Sequence, residues 1–240
     1  MADDDGKPLN IFHCSDIHLD DEARHAEALR AGFTAVLAKA REVEPDIVLI
    51  AGDLFDSNRI PDSTVAFAME QIESVALPVA LIPGNHDCMA PDGVFRRFDF
   101  DRLSNVEMLS EPNGELRTVT KLGVTLWGRG MVDHSIEYAP LGGAPPKPPD
   151  CRWYIGLAHG IYVPEGEDNY RSSPVPERAI AESPFDYLAL GHHHAAMEVH
   201  AGNTAAVFSG SPTDKVGRGA SYAVVRLPPA GPADVSIRVL

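Results

Sequence analysis

Cysteine is scarce in this sequence: 240 residues hold three, Cys14, Cys88 and Cys151. They are too few and too scattered for a disulfide framework, and no CxxC pair offers a thiolate metal site. Buried, reduced thiols are the expectation. Positive charge is also short, with 20 Lys and Arg against 35 Asp and Glu and a formal net charge of −15. Nucleic-acid affinity rests heavily on cationic side chains displacing counterions, so this balance weakens the case for a generic DNA binder without excluding a nuclease. No apolar run approaches the ~20 residues that span a bilayer. The first residues carry Asp3, Asp4 and Asp5 where a secretory leader needs positive charge. A cytoplasmic protein without a membrane segment is expected. There is no internal repeat and no low-complexity linker, and 44% hydrophobic with 23% charged residues is ordinary globular composition. The chain therefore reads as one domain over residues 1–240.

What is present is an alternation of short apolar runs and helical patterns in the first half, the mark of an α/β fold. Strands are predicted at Leu9 to Ser15, Asp46 to Ala51 and Pro78 to Ile82, with helices at Asp21 to Val43 and Ser63 to Ala76. The apolar residues of the second helix suit either the core or a dimer contact. The second half is strand-rich: Val106 to Leu109, Leu116 to Thr120, Val124 to Trp127, Trp153 to Ala158, Tyr187 to Leu190, Thr204 to Phe208 and Ser221 to Leu227, with one helix at Pro176 to Glu182. Two loops, Ala139 to Asp150 and Val163 to Pro176, are long and Pro-rich, and each reads equally well as a substrate-facing lid or a tolerated insertion.

Polar clusters follow the apolar runs directly: SDIH, GDLFD and PGNHD after the first three strands, then His159 in LAHG and His192 with His194 in GHHH. Ligands of open α/β sheets bind at the carboxyl ends of strands, so these clusters point to one shared site. Carboxylate oxygen and imidazole nitrogen suit divalent first-row metals, and Asp16, His18, Asp53, Asn85, His159, His192 and His194 exceed what one tetrahedral ion uses. In an extended segment, residues i and i+2 point to the same side, so Asp16 with His18 and His192 with His194 are expected to converge, with His193 turned elsewhere. Gly52, Gly84 and Gly191 flank the clusters where tight turns or close backbone approach are needed. His13, His25, His134 and His200 stand alone and read as structural histidines.

The ordered set DxH, GDxxD, GNHD, LAHG and GHxH resembles the calcineurin-like metallophosphoesterase superfamily from Asp16 to His194, and the full order is far more specific than any one piece. The resemblance implies a two-sheet sandwich flanked by helices and a hydrolase using two divalent metal ions, Mn first, Fe or Zn as alternatives. It further implies that Asp16, His18, Asp53 and His194 bind one metal, and Asp53, Asn85, His159 and His192 the other. His86 matches the catalytic histidine, and Asp56 the carboxylate that orients it; some nuclease relatives carry a histidine there. Asp87 reads as a supporting carboxylate for the loop.

HCSDIHLD with GDLFDS, and DYLALGHHH with VFSGSPTDKVGRG, are closest to the branch of SbcD-type DNA repair exonucleases, whose SGSP segment packs near the site. The capping and ATPase-docking regions of that branch have no counterpart in these 240 residues. A phosphodiesterase acting on single-stranded DNA or a nucleotide is the resulting expectation. The alternatives are an enzyme for a small phosphorylated metabolite or cyclic nucleotide, and a non-catalytic scaffold. Arg96, Arg97, Arg102, Lys215 and Arg218 lie where they either line a phosphate path or decorate a solvated face.

Overall fold

Side chains alternate across a strand, so a strand apolar at every position must be covered on both faces. Strand β1 (Leu9–Cys14) does this: Ile11 enters one apolar cluster and Phe12 another, both without exposed surface. Strand β2 (Ile47–Ala51) divides in the same way, Leu49 to one side and Val48 and Ile50 to the other. In the computed structural model the described residues are 6–22, 25–168, 171–214 and 217–240.

Helix α1 (Ala26–Val43) follows β1 and buries Leu29, Phe33, Val36, Leu37 and Ala40, one face of a 3.6-residue period. It begins later than its pattern suggests. The Asp20 carboxylate accepts the amides of Asp21 (2.6 Å) and Glu22 (3.2 Å), holding them in a local turn that competes with helix. The helix ends at Glu44 in the left-handed region, before Pro45. After β2 come α2 (Asp62–Ser74), β3 (Val79–Ile82), the short α3 (Val94–Arg97) and β4 (Val106–Met108). Val65, Ala68 and Ile72 of α2 are buried in the core of its own chain.

The second half supplies β5 (Glu115–Val119), β6 (Val124–Gly128), β7 (Trp153–His159), β8 (Ile161–Val163), β9 (Pro174–Pro176), α4 (Glu177–Ala181), β10 (Tyr187–Gly191), β11 (Met197–Ala201), β12 (Thr204–Phe208), β13 (Ser221–Leu227) and β14 (Asp234–Val239). Among the described residues the strands form two mixed sheets, ordered β14-β13-β1-β2-β3-β4 and β11-β12-β10-β7-β6-β5, plus the pair β8-β9. Strands β1 to β4 run parallel, and so do β6, β7, β10 and β12. Ile11, Leu49, Ile155, Leu157 and Tyr187 meet between the sheets. Helices α1 and α2 cover the first sheet; Trp127, Tyr154, Phe185 and Phe208 are buried on the outer side of the second with Ile180 of α4. The result is the two-sheet sandwich with flanking helices.

The loop 139–150 covers the outer face of the second sheet: Leu141 and Ala144 pack on that cluster, and Lys147 pairs with Asp186 at 2.6 Å. The loop 163–176 contains β9 and carries Arg171 to the strand ends.

Candidate metal centre

Parallel strands end together, so the turns after β1, β2 and β3 in one sheet and after β7 and β10 in the other bring their polar residues to one edge of the sandwich. Asp16 and His18 do not converge by strand pleat. They have φ of 54° and 52°, Asp53 has 51° and His192 has 103°. Four of the eight non-glycine residues with positive φ among those described are therefore candidate ligands, a clustering of backbone strain typical of functional sites. The strained turn after β1 is held by Asp16 N–H to Gly52 O (3.1 Å), His18 N–H to Asp53 O (3.0 Å) and Ser211 Oγ to Asp16 O (2.7 Å). Ser211 belongs to the SGSP segment, which packs directly under the site.

Glycine is required where the two sheets meet. A Cβ on Gly52 would lie 2.3 Å from His159 Nδ1, one on Gly84 2.2 Å from Asp53 Oδ1, and one on Gly191 1.9 Å from Ala51 O.

Asp53 sits at the centre and is buried. Its Oδ2 lies 3.5 Å from His18 Nε2 and 3.3 Å from His159 Nε2, while Oδ1 accepts the His86 amide at 2.9 Å. Burial favours the neutral acid, but His159, His18 and His86 outweigh it and hold the carboxyl well below its usual range. His159 donates Nδ1–H to Ala51 O at 2.9 Å, which fixes the ring and aims Nε2 at Asp53 and at Asn85 Oδ1 (3.0 Å). Burial opposes a charge on this ring; the Asp53 carboxylate prevails and raises it to about 9. Asn85 Oδ1 also accepts His192 Nδ1–H at 2.9 Å. His192 is pushed down to about 3, by burial first and by the His159 charge next. The Asp16 carboxylate accepts the His192 amide at 3.0 Å on each oxygen and the Ser15 hydroxyl at 2.5 Å. His194 stacks on His18 with ring centroids 4.8 Å apart.

His18 donates Nδ1–H to Asp56 Oδ1 at 2.9 Å. His86 instead donates Nδ1–H to the backbone carbonyl of Asp56 at 2.9 Å, its nitrogen 3.8 Å from the carboxylate. Asp56 thus touches both histidines, by different groups. The Asp87 carboxylate accepts the amides of Phe55 (3.0 Å) and Gly84 (2.7 Å), and burial beside Asp53 raises it to about 7.

The donor set fits divalent cations. Asp16, His18 and His194 offer ligand atoms within 4.8 Å of one another, as do His18, Asp53 and His86, and Asp16, Asp53 and His159. Buried His18 Nε2 and His194 Nδ1 have no hydrogen-bond partner, a cost that a metal ligand escapes once coordinated.

Sequence pattern missed two neighbours of this centre. His134, in a loop, lies with its ring 6.0 Å from that of His192. Arg171 shares a cavity with His192, His193 and His194. His193 points away from the centre, accepting the Tyr162 amide at 3.3 Å and packing on Phe208. Arg97 pairs with Asp62 at 2.8 Å, a structural role on α3, and Lys215 lies outside the described residues.

A two-sheet sandwich with carboxylates, an amide and imidazoles converging at its strand ends is the make-up of a metallohydrolase of phosphoesters. The family model of calcineurin-like phosphoesterases matches residues 9–196, and the chain belongs to that family. It is 26% identical over 228 residues to the metallophosphoesterase YhaO of Bacillus subtilis, covering 85% of this chain and 53% of that protein. It is 24% identical over 225 residues to the DNA double-strand break repair protein Mre11 of Methanopyrus kandleri, covering 85% and 49%. The chain thus spans about half the length of these relatives. The crystal structure of TT1561 of Thermus thermophilus shares the fold with a TM-score of 0.64 at 10% identity, covering 97% of this chain and 99% of that one.

Proposed function

We propose that the chain hydrolyses phosphodiesters with two divalent metal ions, manganese first among the metals to test and iron or zinc next. The observation that carries this reading is the Asp53 carboxylate set between His18 Nε2 and His159 Nε2 at 3.5 and 3.3 Å, with unpartnered imidazole nitrogens beside it. Asp16, His18, Asp53 and His194 would hold one ion, and Asp53, Asn85, His159 and His192 the other, Asp53 serving both. Bound ions supply an activated water and offset the phosphoryl charge. His86 does the rest: Nδ1–H is committed to the Asp56 carbonyl and the side chain is exposed, so in the imidazolium form Nε2–H supplies the proton to the leaving oxygen. The likeness to Mre11 makes single-stranded DNA or a nucleotide the substrate to test. Among the described residues no helix is long and apolar enough to cross a membrane, and the three cysteines are unpaired, which fits a reducing cytoplasm.

The test is hydrolysis of bis-p-nitrophenyl phosphate, p-nitrophenyl phosphate and a labelled DNA oligonucleotide by manganese-treated protein, with His86→Ala and Asp53→Asn as controls. Diester and DNA cleavage lost in both variants supports the proposal. Turnover of the monoester alone moves the reading to a phosphatase, and metal analysis finding no bound ion overturns it.

A further inference from the structure

Cations are the minority on this chain, 20 against 35 acidic residues, so their position near the centre carries information. Next to the histidines lies a cavity of about 250 Å³ lined by Ile161, Arg171, His192, His193, His194, Ala195 and Arg218. His192 and His194 form the wall it shares with the metal centre, and the two arginines come from separate loops. Arg218 sits on a turn tied by its own carboxylate: Asp214 Oδ1 accepts the amides of Arg218 and of Gly219 (2.9 Å). Arg171 lies just before β9, where the Ile161 amide donates to Ser173 O at 2.9 Å.

The cavity is smaller than the ~300–1,000 Å³ that houses a whole small molecule. It suits one group of a larger substrate whose reacting part lies elsewhere. Guanidinium forks match phosphate oxygens in geometry as well as charge. We infer that Arg171 and Arg218 form a second anion subsite that takes a phosphate group next to the one being cut, so that the preferred substrate carries at least two phosphates. This rests on the diesterase reading above and narrows it: a single isolated diester would leave the subsite unused.

Three substrates separate the possibilities: the thymidine dinucleotide with only its scissile diester, the same molecule with a 5′-phosphate, and the trinucleotide with a second diester. In the Arg171→Gln/Arg218→Gln double variant, KM for the substrates with two phosphates is expected to rise about tenfold with kcat held, while the plain dinucleotide changes by less than about twofold. Which two-phosphate substrate responds tells a terminal phosphate from a chain diester. Equal change on all three, or none on any, overturns the inference. A second readout needs no turnover. In metal-free protein titrated with inorganic pyrophosphate, the arginine Nε–Hε NMR signals assigned to Arg171 and Arg218 by single variants should move together, ahead of the other arginines. If they move while wild-type protein cleaves no diester, the subsite stands and the diesterase reading fails. If they stay still, or all arginines shift alike, the subsite is refuted.

Discussion

At the residue scale, Asp56 has two parts with two duties. Its carboxylate receives His18 Nδ1–H at 2.9 Å, whereas its carbonyl receives His86 Nδ1–H. Carboxylates behind a ligand histidine typically change metal affinity about 10- to 100-fold. Asp56→Ala should therefore weaken manganese binding by about that factor, measured by calorimetric titration, while kcat at saturating manganese falls much less because the carbonyl remains. A collapse of kcat at unchanged affinity would mean that the carboxylate serves His86 instead. His13 offers a pH test away from the ligands. It is buried between the sheets with Nδ1 2.9 Å from Tyr187 Oη, and burial pushes it from 6.5 to about 3. The unfolded chain then binds the extra proton, so the stabilising difference is complete above pH 6.5 and is lost as pH falls toward 3. In His13→Gln the slope of unfolding free energy against pH in that window should shrink by up to about 1.4 kcal/mol per pH unit, read from urea titrations of metal-free protein. An unchanged slope would refute it. The ligand residue types were legible because each follows an apolar strand. Their meeting at one edge was legible from the strand ends, but the way Asp16 and His18 come together was not, since pleat spacing assumes extended backbone and both are left-handed. His134 was illegible because a lone histidine in a loop has no pattern to mark it.

At the level of elements, legibility tracked burial. Strands β1, β2, β7 and β10 are buried at nearly every position and announce themselves as apolar runs. Strand β14 is an edge strand with mostly exposed residues, and β11 buries only Val199 and Ala201, so neither has a strong period to read. Tertiary pairing makes them strands. The start of α1 was lost to the Asp20 turn, a side-chain contact that periodicity does not encode. Where β2 meets β10, the decisive feature is an absent atom. Gly191 lets the Ala51 carbonyl approach closely enough to accept His159 Nδ1–H, and an added Cβ would overlap that carbonyl at 1.9 Å. Gly191→Ala should cost about 1 to 3 kcal/mol by forcing the backbones apart and weaken manganese binding too. Gly6→Ala, whose Cβ meets nothing within 4 Å, should be silent. Urea midpoints of both variants decide the matter; equal midpoints would show that the sheets separate without penalty.

For the whole molecule, the proposed ligand set would make metal binding a matter of sheet packing. Asp16, His18, Asp53 and Asn85 extend from the first sheet; His159, His192 and His194 extend from the second. The proposed ligand set includes two buried carboxylates, Asp16 and Asp53, with the Asp87 carboxyl buried beside them, in a chain of net charge −15. Ions that bind only the folded form stabilise it by mass action, about 2.7 kcal/mol at a hundredfold excess over Kd. For a chain of this size that corresponds to a rise in Tm of roughly 5–10 °C. Because the ligands bridge the sheets, the gain should be shared. Hydrogen exchange of amides in β1 and β2 and of those in β7 and β10 should slow together on manganese addition and speed together on chelation. Asp53→Asn, which removes the carboxylate facing both sheets, should lose most of the gain while keeping the fold. Protection confined to one sheet would mean that the ions sit on one layer alone, and the shared role of Asp53 would have to be abandoned.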